Sequence, residues 1–231
     1  MANQRVLVVA SHPDDEILGL GGTLARHVDE GDVVRTLILA EGATSRDAVR
    51  DADGRQDELD ELVSAAQRAA QALGLQAPQM LGLPDNRMDS MTLLDVVKPI
   101  EQLVRSFQPQ IVYTHHGGDL NVDHQVAHQA VLTACRPLPG SSVEAIYTFE
   151  TVSSTEWASE STGDTFRPTR FVGITDQLER KLAALEAYES EMAPFPHARS
   201  MESVRALAAL RGASVGVNAA EAFMVIREVV R

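Results

Sequence analysis

The stretch VLVVASHPDDE, residues 6–16, decides the fold of this chain. Its first five residues form a continuous apolar run rich in β-branched side chains, which is typical of a strand buried on both faces of a sheet. A proline and three acidic residues then mark the start of a helix, which we predict over about residues 14–29, closed by Gly31. A buried strand that leads directly into a helix indicates an α/β fold.

The same alternation of strand and helix continues along the chain. We predict strands at 33–40, 80–83, 111–114 and 145–149, helices at 56–73, 93–107 and 122–135, and a polar loop at 45–55. The last third is less regular, with a strand at 171–174, helices at 177–188 and 203–210, and a helix or strand at 219–230. This pattern predicts a Rossmann-like, mostly parallel sheet with helices on both faces. Without a repeat or a linker rich in Pro, Gly or Ser, residues 1–231 are expected to form a single domain.

The net charge and the composition argue against several classes of binding partner. The net charge is −13, whereas nucleic acids and anionic membrane surfaces both reward clustered Lys and Arg, so neither is expected to bind. No stretch approaches the ~20 consecutive apolar residues of a membrane helix, and the N-terminus lacks a signal-peptide pattern. A single cysteine, Cys135, allows neither an internal disulfide nor a Cys-based metal cage. We expect a cytoplasmic protein; the sequence leaves open whether it forms a homo-oligomer.

The segment between the first strand and the first helix carries residue types that suit a metal site. A dinucleotide-binding protein has a glycine-rich loop there, whereas this chain has a histidine and three carboxylates, which would repel a pyrophosphate. The proline and the acids can also serve simply to start the helix. That alternative does not explain His12. His12 and Asp15, three residues apart across the turn, can converge on one zinc ion, which leaves Asp14 beside the metal as a base.

A second polar cluster follows the strand at 111–114. Four of the seven histidines fall between residues 115 and 128, and His115 and His116 directly follow the strand. In a parallel sheet this strand can lie beside the first one, so the two clusters can meet. On the next helix, Asp123 falls within an apolar stripe, where an unpaired carboxylate is costly. Asp123 therefore either caps the helix or accepts a hydrogen bond from a catalytic or metal-bound imidazole.

These residues resemble the PIG-L / LmbE-type zinc-dependent N-acetylglucosaminyl deacetylases. The family's hallmarks are an (A/S)HPDDE motif after the first strand, here Ser11 to Glu16, and an Asp-His pair after the fourth, here Asp123-His124. Further similarity lies in residues 55–59, 81–85 and 220–223. The resemblance implies one deacetylase domain that removes an N-acetyl group from an N-acetylglucosamine-type sugar or its conjugate.

The resemblance also implies roles for individual residues. His12, Asp15 and His124 would bind a zinc ion, or Fe²⁺ or another divalent ion at the same site, with water in the open position. Asp14 would be the general base that activates this water. Arg55 and Asp85 would face the sugar, although a surface salt bridge and a turn residue would explain them equally well.

The chain departs from the family pattern at Asn121. Many members have a histidine at this position, three residues before the last ligand, which is thought to steady the tetrahedral oxyanion. An asparagine amide can donate to an oxyanion but carries no positive charge. His115 or His116 is the alternative donor. We expect a charged histidine, because a cation stabilises developing negative charge better than a neutral amide does.

Two other functions remain open at the level of sequence. The same zinc site could hydrolyse another amide, on a non-sugar or a glycopeptide substrate. The chain could also be a Rossmann-like binding module in which the acidic turn only begins a helix. A purified protein without metal, whose stability does not change on chelation, would favour the binding module.

Overall fold

A seven-stranded sheet organises the chain, with the strand order β3-β2-β1-β4-β5-β7-β6. The computed structural model describes residues 3–159 and 164–230. The strands are β1 (Arg5–Ala10), β2 (Val33–Ala40), β3 (Gln79–Leu83), β4 (Ile111–His115), β5 (Ala145–Phe149), β6 (Arg170–Gly173) and β7 (Ala220–Glu228). The α-helices are α1 (Asp15–Asp29), α2 (Gln56–Leu73), α3 (Leu93–Phe107), α4 (Val122–Ala134), α5 (Leu178–Glu186) and α6 (Met201–Ala213).

The sheet is mostly parallel, which confirms the predicted fold class. Strands β1 to β5 pair in parallel with their neighbours, whereas β7 runs antiparallel to both β5 and β6. The segment predicted as helix or strand at 219–230 is therefore the strand β7. Its β-branched and aromatic side chains suit this role. The predicted polar loop at 45–55 contains two short 3₁₀ helices, Thr44–Arg46 and Asp53–Arg55.

Two apolar layers cover the two faces of the sheet. Because successive residues of a strand point to opposite faces, Val6 and Val8 of β1 join one layer and Leu7 and Val9 join the other. The first layer includes side chains from α1, α2, α5 and α6, and the second includes side chains from α3 and α4. Helices on both faces are thus confirmed. Across residues 3–159 and 164–230, every helix is too short or too polar to cross a bilayer.

Helix α1 bends at Leu20, which has the non-helical angles φ −148° and ψ 20°. A break in a helix frees backbone N–H groups, and here Glu221 of β7 accepts from the amides of Gly22 and Thr23 at 3.0 and 2.6 Å. Lys181 donates to the same carboxylate at 2.6 Å and to the Leu18 carbonyl at 2.8 Å. The 220–223 segment of the sequence thus anchors the helix that begins with Asp15.

The carboxyl ends of β1 and β4 lie side by side. Val8 of β1 is in register with Tyr113 of β4. Strand β1 has β2 on one side and β4 on the other, so the order of the strands reverses here. Such a switch point is where ligands bind in open α/β sheets. The two polar clusters of the sequence therefore meet in space.

Candidate metal centre and active site

The turn after β1 holds Asp14 in a strained conformation. Its φ of 112° is rare for a residue with a side chain. Its backbone N–H donates to Glu16 Oε2 at 3.1 Å, and Tyr188 donates its hydroxyl to Glu16 Oε1 at 2.6 Å. Burial raises the pKa of Glu16 to about 7. Glu16 and Tyr188 thus hold the turn that presents Asp14 and Asp15.

The buried Asp15 and His124 and the half-buried His12 converge on one point beside this turn. Asp15 Oδ2 lies 3.2 Å from His12 Nδ1 and 3.2 Å from His124 Nε2. His12, Asp15 and His124 each offer one ligand atom, and these atoms lie within 4.8 Å of one another. Asp15 Oδ1 is buried without a hydrogen-bond partner, and the buried His124 Nε2, although 3.2 Å from Asp15 Oδ2, lacks the geometry of a hydrogen bond. Orphaned buried atoms of this kind call for a ligand, and the donor set of two imidazoles and a carboxylate fits a divalent metal ion.

A carboxylate supports each of the two imidazoles from its other side. His124 Nδ1 lies 3.1 Å from Asp119 Oδ1, and His12 Nε2 lies 3.2 Å from Asp123 Oδ2. Burial alone would lower the pKa of His124, but Asp15 and Asp119 raise it to about 9. The carboxylates around the cluster therefore favour positive charge at this point. Imidazoles that bind metals usually have such a partner, which fixes the tautomer and the orientation of the ring.

The helix cap and the imidazole partner are two different residues. Asn121 caps α4, because its side-chain oxygen accepts from the Asp123 backbone N–H at 2.9 Å. The alternative that Asp123 is the cap was therefore wrong. Asp123 instead accepts from the backbone amides of Asn86 and Met88, at 2.7 and 2.9 Å, and lies against His12.

The Asp14 carboxylate opens onto a cavity of about 110 Å³. Arg199 Nη1 donates to Asp14 Oδ2 at 2.9 Å, and Arg199 Nε donates to Ser153 Oγ at 2.7 Å. Burial raises the pKa of the Asp14 carboxyl well above its usual range, and Arg199 opposes that rise. The cavity is lined by His12, Pro13, Asp14, Gly42, Ser45, Arg46, Asp85, Asn86, Asn121, Glu191 and Arg199.

The surroundings of His115 contradict the expectation that this residue supplies a positive charge. Its Nε2 accepts a hydrogen bond from the Ser11 backbone N–H at 2.8 Å, which requires that nitrogen to be unprotonated. Burial and the neighbouring His124 hold the pKa of His115 well below its usual range. The ring stacks on His124 with 3.8 Å between centroids. His115 is therefore a neutral imidazole that packs against the metal-ligand candidate His124.

The other two candidate oxyanion donors lie in different places. His116 Nε2 lies 2.9 Å from the Asp164 carbonyl, and its ring meets Phe166 edge-on at 5.4 Å. Asn121 lines the cavity, and its side-chain nitrogen donates to Asn86 Oδ1 at 2.8 Å. The structure thus brings Asn121, and not His116, to the cavity.

Of the two residues expected to face a sugar, Asp85 lines the cavity and Arg55 does not. Asp85 lines the cavity, with Oδ1 3.3 Å from His12 Nε2 and Oδ2 accepting from the Ser45 N–H at 2.9 Å. Arg55 donates to Asp47 at 2.5 and 2.8 Å and to Glu58 at 2.5 Å. Arg55 is thus held in the surface ion pairs that were its alternative explanation, outside the set that lines the cavity.

Sequence reasoning missed several residues that shape the site. Asp119 was only part of a polar stretch, yet it supports His124. Tyr188, Glu191 and Arg199 come from the irregular last third, and no local motif connects Arg199 with Asp14, which is 185 positions away. A polar cluster close to an Asp-His pair was the available signal for Asp119; the sequence offered none for Arg199.

Comparison with known proteins places the chain in a family. The PIG-L family, described as GlcNAc-PI de-N-acetylase, matches residues 7–135. The uncharacterized deacetylase YaiS of Escherichia coli (strain K12) is 29% identical over a 197-residue alignment that covers 82% of this chain and 94% of YaiS. The N,N'-diacetylchitobiose deacetylase from Pyrococcus horikoshii has the same fold, with a TM-score of 0.78 and 21% identity over 98% of this chain and 85% of that one. The chain belongs to the PIG-L family and is an N-deacetylase.

The fold alone does not decide the reaction. GalB from Pseudomonas putida KT2440, a 4-carboxy-2-hydroxymuconate hydratase, matches with a TM-score of 0.77 and 22% identity over 99% of this chain and 98% of that one. One fold commonly carries several chemistries. The arrangement of residues at the cavity must therefore carry the functional argument.

Proposed function

We propose that the chain hydrolyses the N-acetyl group of an N-acetylglucosamine-type amino sugar, or of a conjugate of it, with zinc as the metal. The observation that carries the proposal is the convergence of His12, Asp15 and His124, with Asp15 Oδ1 and His124 Nε2 buried and without a hydrogen bond, at the cavity that His12 and Asp14 both line. The family description names a de-N-acetylase of a GlcNAc conjugate. That description supports an acetamido sugar as the substrate.

The chain's own residues would hold the ion and fix its ligands. His12 would bind through Nδ1 and keep its proton on Nε2, where Asp123 accepts it. His124 would bind through Nε2 and keep its proton on Nδ1, where Asp119 accepts it. Zinc, when bound, polarises the amide carbonyl and lowers the pKa of a water molecule. This zinc requirement separates the proposal from a plain binding module.

Asp14 would move the proton during hydrolysis. Its carboxylate accepts a proton from the attacking water and then delivers it to the nitrogen of the leaving amine, so that acetate and a free amine are formed. Arg199 holds Asp14 Oδ2 at 2.9 Å and so orients the carboxylate. The Asn121 amide, at the edge of the same cavity, would donate to the oxyanion in the transition state.

Acetate release tests this function. Protein stripped with a chelator and then reloaded with zinc is incubated with the methyl glycoside of N-acetylglucosamine, and acetate and free amine are measured. Equal amounts of both products, formed only by the reloaded protein, support the proposal. Equal turnover of simple non-sugar acetamides would contradict the sugar as substrate. Absence of acetate from sugar and non-sugar amides alike would contradict the whole proposal.

A further inference from the structure

A second cavity lies against the last turns of α1, away from the catalytic cavity. It measures about 410 Å³, and pockets that enclose a small molecule usually measure roughly 300–1,000 Å³. At a rise of about 1.5 Å per residue, His27 in this cavity lies about 18 Å along the helix from the metal-ligand candidate Asp15. The cavity is lined by Thr23, Arg26, His27, Glu30, Tyr113, Arg170, Phe171, Val172 and Gly173. None of these residues lines the catalytic cavity.

Two residues that line the second cavity each have a buried polar atom without a hydrogen-bond partner. One atom is Oγ1 of Thr23, a residue that is 1% exposed, and the other is Nε of Arg170. Such atoms are rare in native proteins, and a bound molecule or water usually satisfies them. A water molecule occupies only about 30 Å³, so the cavity is far larger than two bridging waters need. The space therefore suits a ligand larger than water.

Arg170 carries the positive charge that is left unbalanced at this cavity. Arg26 Nε donates to Glu30 Oε1 at 2.8 Å, and His27 Nδ1 lies 2.7 Å from Asp32 Oδ2, so each of these two groups has a carboxylate partner. Across residues 3–159 and 164–230, no carboxylate pairs with Arg170. One unpaired guanidinium beside an open space favours a ligand with a single negative charge.

The surroundings of Arg170 favour a carboxylate as that charge. Its guanidinium carbon lies over the Tyr147 ring, 4.3 Å from the centroid. The ring covers one side of the guanidinium and leaves N–H groups, among them the unpartnered Nε, free to donate elsewhere. The planar guanidinium matches the two oxygens of a carboxylate. Phe171 and Val172 add apolar lining to the same cavity.

We propose that this second cavity binds a small monocarboxylic acid, whose carboxylate accepts from Arg170 and whose apolar part lies beside Phe171 and Val172. The Thr23 hydroxyl is the second polar contact. A phosphate monoester carries a charge of about −1.5 to −2 at neutral pH, which exceeds the one free positive charge. The ligand is distinct from the amino-sugar substrate, so the inference does not depend on the reaction at the catalytic cavity.

Ligand-observed fluorine NMR with 4-fluorobenzoate tests the site on the zinc-loaded protein. This probe is a monocarboxylate with an apolar ring, and 4-fluorobenzamide has nearly the same shape without the charge. We expect the benzoate signal to broaden with a Kd of roughly 10 mM or less, and the benzamide to bind at least about tenfold more weakly. Protein stripped with a chelator should give the same Kd for the benzoate, which separates this site from the metal.

Two variants on different elements locate the probe. Arg170→Gln on β6 removes the charge and should raise the Kd of 4-fluorobenzoate about 10- to 150-fold, as expected for a charged hydrogen bond. Thr23→Val on α1 removes the hydroxyl at nearly constant volume and should raise this Kd about 2- to 12-fold. Arg35→Gln is the matched control, because Arg35 also lies over an aromatic ring, that of Phe107 at 4.6 Å, outside this cavity. It should leave the Kd unchanged.

The results that would overturn the proposal are equally specific. A parent-like Kd in Arg170→Gln or in Thr23→Val, or an equal loss in Arg35→Gln, would place the probe elsewhere. Benzamide binding as tight as that of the benzoate would show that the charge is not recognised. Binding that disappears with the zinc would place the probe at the metal, and the absence of benzoate binding would leave the cavity without the proposed ligand. All of these measurements are independent of catalysis, so their failure differs from a failure of the proposed function.

Discussion

Asp119→Asn isolates the contribution of the carboxylate behind His124. Asp119 Oδ1 lies 3.1 Å from His124 Nδ1, and Oδ2 accepts from Thr155 Oγ1 at 2.6 Å. Ser154 also donates its hydroxyl to Asp119. The amide has the same shape and can still accept from His124, and a hydroxyl can rotate to accept from its NH₂. The substitution therefore removes the negative charge and leaves the fold intact.

The expected loss is in metal affinity. Replacing the hydrogen-bond partner of a metal-bound imidazole typically weakens binding about 10- to 100-fold, or roughly 1.4–2.7 kcal/mol. We expect a value inside this range, since Asp119 is charged: burial raises the pKa of its carboxyl group, but hydrogen bonds from His124, Ser154 and Thr155 outweigh burial and lower that pKa to about 2. Competition with a chromophoric zinc chelator measures the Kd of the parent and the variant.

A surface carboxylate provides the matched control. Asp95 accepts from the Thr92 hydroxyl at an exposed position in the first turn of α3, so Asp95→Asn should leave the zinc Kd unchanged. A zinc Kd that is the same in Asp119→Asn and in the parent, with both proteins folded, would refute the argument that Asp119 supports a metal ligand.

Three further predictions concern catalysis and the thiol. Asp14→Asn should fold and keep its zinc but lose about 10²- to 10⁴-fold in kcat, and near-normal turnover with full metal content would place the base elsewhere. Asn121→Ser keeps the helix cap but loses the amide donor, so kcat should fall about 10²- to 10³-fold at nearly constant KM; parent-like kcat would exclude this donor. Burial raises the pKa of Cys135 to about 12, so a thiol reagent at pH 8 should label unfolded but not native protein, and rapid native labelling would contradict its burial.

The regular part of the fold could be predicted because its signals are local. The run Val6 to Ala10 is apolar on both faces, and only a strand covered on both sides buries it completely. The helix at 56–73 was predicted with the bounds that the structure has, because Gly74 follows with the left-handed φ of 77° that ends it. These elements depend on residues close together in the sequence.

The parts of the fold and of the site that could not be predicted depend on contacts between residues far apart in the sequence. Strand β7 is fixed by pairing with β5 and β6, and nothing in residues 219–230 alone distinguishes it from a helix. A charged histidine, His115 or His116, was expected as the oxyanion donor, but the hydrogen bond from the Ser11 amide and full burial make His115 neutral. Arg199, which lies between α5 and α6, contacts Asp14 across 185 positions of the sequence. Such long-range pairs leave no periodic pattern in a single sequence.

The central claim is that one metal ion binds between His12, Asp15 and His124. The most direct measurement is anomalous diffraction at the zinc absorption edge from crystals of the zinc-loaded protein. We predict one strong peak per chain, at about 2.0–2.2 Å from His12 Nδ1, His124 Nε2 and an Asp15 oxygen. A peak among His12, Asp85 and Asp123, the neighbouring set within reach of an ion, or no peak beside His12 at all, would contradict the claim.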